Sequence, residues 1–290
     1  MVFHPPVAIV AKAGDAGKYK VGLPAWNMLL RGFMAGAYIA IGGALATTCA
    51  TGVATFLGAG MAKLILGAVF PVGLIIIVLT GAELFTGDAM LAPMAAFIHK
   101  ISWASILNLW IWVYIGNLIG SIVYAYIMAF GPFTGWSAAG AATVNAFGLN
   151  AMAIAIGKVS YVGGAATWSA FLKAIGCNWL VNLAVLLGIC ADDLIGKFFG
   201  IWFPIMAFVS SGFEHCVANM YFIPAGLFLQ PYLSADQIAT IGADKVASLT
   251  WVTMWTNNII VVTIGNIVGG LVFVGVIYWV AFREEIAALK

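Results

Sequence analysis

Thr80-Gly-Ala-Glu-Leu-Phe-Thr86-Gly-Asp88 interrupts one long apolar run of this chain, and Ser211-Gly-Phe-Glu-His215-Cys-Val-Ala-Asn-Met220 interrupts another. Both interruptions carry Gly, an apolar residue and Glu in the same order, as Gly81-Ala82-Glu83 and Gly212-Phe213-Glu214. A carboxylate inside an apolar run is expensive, so it marks a broken backbone that needs partners or a path for a solute. The rest of the chain says what surrounds the breaks. Of 290 residues, 64% are hydrophobic and 8% charged, with a mean hydropathy of +1.08. A soluble domain carries about 25% charged residues. Here 12 basic and 10 acidic side chains must serve the whole molecule. Soluble folds, disorder and nucleic-acid binding fall away, and the solvent is lipid. The runs are long and unbroken, unlike the short alternating segments of a membrane β-barrel.

Six apolar stretches run roughly over 26–50, 60–97, 104–130, 165–190, 198–230 and 250–282, taken with a ~19-residue hydropathy window. The second and fifth hold the interruptions and are too long for one straight helix. Residues 1–25, with Lys12, Lys18 and Lys20, read as an amphipathic segment on the cytoplasmic membrane surface. Residues 26–282 form the six-span domain, and 283–290 a cytoplasmic tail. The first apolar run starts late and five more follow, so no cleavable signal peptide is expected. Lys12, Lys18, Lys20, Arg31, Lys100, Lys197, Arg283 and Lys290 fall at one set of span ends, and Lys63, Lys158, Lys173 and Lys245 at the other. The excess of positive charge places both termini in the cytoplasm of a multi-pass plasma-membrane protein. Cys49, Cys177, Cys190 and Cys216 lack metal-site spacing and read as small apolar residues.

The two halves of the chain resemble each other. Asn108-Leu-Trp-Ile-Trp-Val-Tyr-Ile-Gly-Asn117 in the third stretch matches Asn257-Asn-Ile-Ile-Val-Val-Thr-Ile-Gly-Asn266 in the sixth. Gly116 and Gly120 make a small-residue face in one, Gly265 and Gly269 in the other. Trp26 and Arg31 open the first stretch as Trp168 and Lys173 open the fourth. This order predicts a duplicated three-span unit, about 26–130 and 165–282. Three is odd, so the second copy enters the membrane from the opposite side. The result is an all-α, 3+3 inverted repeat, and solute paths in such folds lie between the broken helices.

Of three histidines, His4 lies in the tail, His99 in a loop, and only His215 deep in an apolar run. It is either tied into a structural network or a pore-lining donor able to exchange a proton near neutral pH. Glu83 and Glu214 read as acceptors holding the broken backbone in shape, with Asp88 doing similar work at the start of the following half-helix. Thr86 suits the cap of that half-helix. The half-helix turns its positive end toward any cavity at mid-membrane, which favours a small anion. Thr86 is then either a plain cap or a cap that also meets the solute.

The chain resembles the formate/nitrite transporter family, most closely its formate branch. Gly81 to Gly87, Ser211 to Met220 and Thr263-Ile-Gly-Asn-Ile-Val-Gly-Gly270 carry the resemblance. Gly60-Met-Ala-Lys-Leu64, Tyr114-Ile-Gly-Asn-Leu-Ile-Gly120 and Tyr278-Trp-Val280 support it. It implies an aquaporin-like six-span protomer in a homopentamer, with a pore in each protomer and broken second and fifth spans. It implies that His215 and Thr86 meet in the pore and that Asn178 and Asn266 stand near the histidine. Leu74 and Leu84 would form the cytoplasmic constriction, and Phe70 and Phe208 the periplasmic one. Lys158 would be the periplasmic vestibule lysine if about four residues are inserted after it; Lys173 pairs with Arg31 in the repeat.

A naked anion in a narrow apolar pore faces a prohibitive desolvation cost, and a neutral acid of the same size does not. The expected cargo is formate, crossing as formic acid or with a proton. His215 relays that proton or stays neutral and donates a hydrogen bond. Nitrite or hydrosulfide are the alternatives within the family, and bulky Leu74, Phe70 and Phe208 argue against lactate. No enzyme activity, cofactor or metal site is expected, since one buried histidine offers neither a ligand cluster nor a nucleophile–base pair. A water or glycerol pore would carry paired Asn-Pro-Ala boxes, and the chain has no Asn-Pro.

Overall fold

The computed structural model describes residues 3–138 and 140–288. Lys290, counted above among the cytoplasmic charges, and the outermost residues of both terminal segments lie outside that range. A short helix, α1 (Pro6–Val21), leads into the first span, α2 (Ala25–Ala50). The second span is α3 (Val53–Val69) and α4 (Val72–Thr80), then a break, then α5 (Phe85–Phe97). The third is α6 (Trp103–Phe130). A hairpin of β1 (Thr134–Trp136) and β2 (Ala142–Val144), paired antiparallel with Gly135 opposite Thr143, precedes a second short helix, α7 (Ala146–Val159). The fourth span is α8 (Gly164–Cys190). The fifth is α9 (Leu194–Ser210) and, after its break, α10 (Cys216–Leu229). Two small helices, α11 (Ala235–Ile241) and α12 (Ala243–Ser248), lead to the sixth span, α13 (Trp251–Ala288), which contains two π-helical stretches.

Among the described residues, five helical lengths are long and apolar enough to cross a membrane: Ala25–Ala50, Val53–Thr80, Trp103–Phe130, Gly164–Cys190 and Trp251–Ala288. The α9–α10 pair supplies the remaining crossing. The second span starts at Val53, earlier than the expected residue 60. Gly52, Gly58 and Gly60 dilute its opening turns, and Gly58 takes a left-handed φ of 80° inside them.

Two tightly packed helix pairs form the frame, α2 with α6 and α8 with α13. Small residues let the backbones touch, as expected where lipid gives helices no hydrophobic drive to associate. A Cβ on Gly120 would stand 2.0 Å from the Phe33 carbonyl oxygen, and one on Gly269 2.4 Å from that of Ile175. Near the middle, Tyr114 and Thr263, equivalent positions of the two repeats, hydrogen-bond to each other at 2.9 Å.

The connection between the halves is more than a linker. Helix α7 stands before the fourth span as α1 stands before the first, and it packs on α10 as α1 packs on α5. The repeating unit therefore begins one helix earlier than residues 26 and 165.

Candidate functional site

Irregular backbone inside a membrane survives only where its polar groups are satisfied by protein or line a cavity. The first break turns at Gly81, whose φ of 76° is a conformation that favours glycine. Its amides then find partners in order. Ala82 N–H donates to the Ile77 carbonyl at 3.2 Å, Glu83 N–H to that of Arg31 at 3.2 Å, and Phe85 N–H to Asn117 Oδ1 at 3.0 Å. Asn117 Nδ2 returns bonds to the carbonyls of Glu83 at 2.9 Å and Gly32 at 2.8 Å.

The second break repeats every step. Gly212 has φ 74°. Phe213 N–H donates to the Phe208 carbonyl at 3.1 Å, Glu214 N–H to that of Lys173 at 3.4 Å, and Cys216 N–H to Asn266 Oδ1 at 2.9 Å. Asn266 Nδ2 bonds the carbonyls of Glu214 at 2.9 Å and Ala174 at 2.8 Å. One asparagine per repeat thus clamps each break. Asn117 was visible in the repeat as the partner of Asn266, and only the folded geometry shows its work.

Each break carboxylate is held by a lysine from the helix preceding its half. Lys20 of α1 bonds Glu83, with its Nζ also 3.1 Å from Asp88 Oδ1, and Lys158 of α7 bonds Glu214 at 2.8 Å. Burial disfavours the Lys20 ammonium, but the carboxylates of Asp88 and Glu83 outweigh that and hold its pKa above the ordinary lysine range. Arg31 bonds the Tyr19 hydroxyl at 3.2 Å in the first repeat; Lys173 bonds that of Tyr161 at 3.2 Å in the second. Tyr161 in turn donates to Glu214 at 2.9 Å. Burial, and then the Glu214 charge, push its phenol well above the ordinary tyrosine range.

The breaks present two side chains to each other. Thr86 Oγ1 lies 2.9 Å from His215 Nε2, both residues buried. His215 caps α10: its Nδ1 accepts the Ala218 N–H at 3.0 Å. A ring nitrogen that accepts is unprotonated, so in the neutral ring the proton sits on Nε2, facing Thr86. The Thr86 carbonyl is pinned by Asn178 Nδ2 at 3.0 Å and Asn182 Nδ2 at 3.1 Å. Asn178 Nδ2 also bonds the Asn266 carbonyl at 2.6 Å. Asn178 and Asn266 therefore stand behind the Thr86–His215 pair with their amide nitrogens committed to backbone carbonyls.

Cavities open on either side of the pair. One, of about 240 Å³, is lined by Lys20, Arg31, Lys197, Glu83 and Asp88 and floored by Leu74 and Leu84. The other, of about 140 Å³, is lined by Lys63, Lys158, Phe70, Phe208 and His215. Between them lies an apolar neck of Ile39, Phe70, Leu74, Leu84, Val181, Ile205 and Phe208, with His215 at its edge and no room for a water molecule. Phe70 and Phe208 meet edge to face, ring centroids 5.8 Å apart, and Phe208 stacks on the His215 ring at 5.9 Å. In the sequence Lys197 signals only topology, Lys63 adds to it a place in the Gly60–Leu64 stretch, and Ile39, Val181 and Ile205 are indistinct among many apolar residues. Among the described residues, no group of three His, Cys, Asp or Glu stands close enough to hold a metal ion.

The sequence model described as formate/nitrite transporter matches residues 7–280. A probable formate transporter of Methanothermobacter thermautotrophicus is 44% identical over 96% of this chain and 97% of its own. A formate channel of Bacillus thuringiensis is 37% identical over 100% of both chains. A solved structure of a pentameric formate channel with formate bound superposes with a TM-score of 0.74 at 37% identity, covering 89% of this chain and 98% of that one.

Proposed function

The chain belongs to the formate/nitrite transporter family, and on that premise we propose that it is a formate channel in which each protomer of a homopentamer carries its own pore. Relatives described as formate transporters and channels over nearly their whole length support the cargo, and the pentameric formate channel of similar fold supports the assembly. The charge asymmetry of the span ends supports a plasma-membrane protein with both termini in the cytoplasm. Lys20, Arg31, Lys197 and His4, which stands 2.6 Å from Asp192, share one end of the molecule. Lys63, Lys158 and Lys173 share the other.

The observation that carries the mechanism is the arrangement along the path: a basic cavity, an apolar neck edged by one hydrogen-bonding pair, and a second basic cavity. Lysine and arginine raise the local concentration of a small anion in each cavity. The neck, too tight for water, penalises the charged form. The solute's proton affinity rises as it enters, from a solution pKa close to the ~3.9 of an aspartate. It crosses as the neutral acid. Leu74 and Leu84 close one side of the neck, and Phe70 and Phe208 the other. His215 acts as a neutral donor. Protonating its Nδ1 would turn a second N–H against the Ala218 N–H it now accepts, so the geometry favours donation over relay. Thr86 accepts from Nε2–H and keeps its own hydroxyl hydrogen for the solute. Asn178, Asn182 and Asn266 hold the pair in place, while Glu83 and Glu214 shape the breaks.

Purified protein in liposomes tests this reading. Formate uptake should exceed that of glycerol and rise as external pH falls. Nitrite preferred over formate would move the cargo to the sister branch, and glycerol flux alone would overturn the anion reading.

A further inference from the structure

The two breaks share the turning glycine, the glutamate and the asparagine clamp, but an acid in the first stands where the second has an amide. In the second, Asn219 Nδ2 donates to Glu214 Oε2 at 2.7 Å. Asn219 stands five residues after Glu214, as Asp88 stands five after Glu83. At the first break, then, a carboxyl replaces the amide that donates to the neighbouring glutamate. Asp88 is wholly buried and lines the larger cavity. Among the described residues neither of its oxygens has a protein hydrogen-bond partner; Lys20 is 3.1 Å from Oδ1 without hydrogen-bond geometry, having turned to Glu83. Facing this carboxyl are Lys20 and Tyr19 of α1, Glu83 of the break, Arg31 of α2 and Lys197 of α9. The wall from α8 contributes Val185, Gly188 and Ile189, and α6 adds the Trp110 indole, bonded to the Asp88 carbonyl at 3.0 Å. Lys20 serves both carboxylates and Arg31 Nη1 stands 3.7 Å from Glu83 Oε1, yet an ionised Asp88 offers no donor to Glu83, whereas a protonated one does.

Resting on the formate reading above, we propose that Asp88 carries the proton that the anion takes up in this cavity. The step balances. The Asp88 O–H bond breaks, an O–H bond forms on formate, and formic acid moves into the neck. Asp88 is left as a carboxylate beside Lys20, and a proton from the bulk on that side restores it. No electron moves. His215 remains a neutral donor throughout, so the solute is neutralised before the constriction rather than inside it.

Asp88→Asn tests the assignment, because it restores the side chain found at the equivalent position, keeps a donor to Glu83 and removes the titrating proton. The first readout is the difference infrared spectrum, wild type minus Asp88→Asn, in the full-length protein at pH 7. A carbonyl stretch of a protonated carboxylic acid, lost in the variant, is expected; its absence from the wild type overturns the proposal. The second is formate uptake into liposomes against the pH on the cavity side. The variant should lose at least tenfold at neutral pH and recover toward wild type at acid pH, where the bulk supplies formic acid. Uptake with a wild-type rate and profile would overturn the role even if the band is present. A wild type that moves no formate would overturn the formate reading itself, while the infrared band would still decide the protonation of Asp88.

Discussion

Leu84 and His215 hold one backbone conformation at the same step of the two repeats, φ −114° and ψ 119° for the leucine, φ −116° and ψ 116° for the histidine. Each precedes a half-helix that starts in mid-membrane. One presents an apolar side chain to the neck, and the other an imidazole that caps its helix and reaches Thr86. The position equivalent to Thr86 in the second repeat is Val217. The pore chemistry thus sits where the duplicated halves have diverged, and the clamps sit where they have stayed alike.

The cap gives a way to separate donation from relay. His215→Asn keeps a side-chain acceptor for the α10 terminus, since asparagine is among the best N-caps, and it keeps a donor toward Thr86. Formate uptake should survive with its pH profile unshifted. A profile flattened by this change would show that the imidazole titrates during transport. His215→Leu, which copies Leu84, loses the cap and the donor together and should abolish selective uptake.

The asparagine clamps predict matched losses of stability. Asn117→Ala orphans the Phe85 N–H, and Asn266→Ala orphans the Cys216 N–H, both buried. Each unmade bond of this kind costs about 1–3 kcal/mol. Thermal unfolding in detergent should show comparable drops for the two variants, because the lost bonds are the same in number and kind. A large drop for one and none for the other would break the symmetry argument.

Lys158 and Glu214 form the part-buried pair of the second cavity at 2.8 Å. Lys158→Met leaves a buried carboxylate short of its counter-charge, a change that costs about 3–5 kcal/mol. Adding Glu214→Gln should recover most of that stability, since the amide oxygen can still accept from Asn219 while its NH2 donates to the Tyr161 hydroxyl, which also accepts. Formate uptake should stay low in the double variant, because the cavity has lost a cation. Full recovery of uptake would remove Lys158 from the attraction step.

Close helix contact predicts sharp intolerance at one glycine and indifference at another. Gly120→Ala drives a methyl to 2.0 Å from the Phe33 carbonyl oxygen, so α2 and α6 must separate. Gly157→Ala, where a Cβ would meet nothing within 4 Å, should be neutral or stabilising, by up to about 1 kcal/mol from helix propensity. Yield of folded protein on gel filtration compares them directly.

Much of this was legible because rare polar letters stand out in an apolar sequence. Glu83, Glu214, Asn117 and Asn266 revealed the repeat, and His215 and Thr86 stood out as the pair most in need of explanation. The start of the repeat was hidden. Lys20 precedes Arg31 by fewer residues than Lys158 precedes Lys173, so no fixed spacing aligned α1 with α7. The resemblance puts Asn178 and Asn266 near the histidine, yet their amides face backbone carbonyls, which only the fold reveals. The neck residues Ile39, Val181 and Ile205 carry no signal in a chain where most residues are apolar. Asp88 read as a helix-start acid until its equivalence with Asn219 exposed the missing donor.

The central claim is that the solute crosses the neck without net charge. It is tested most directly by formate uptake into liposomes with the membrane potential clamped by potassium and valinomycin, while an internal dye follows pH. The account predicts a rate independent of potential and one proton delivered to the lumen with each formate. A rate that follows the potential, with no acidification of the lumen, would contradict it.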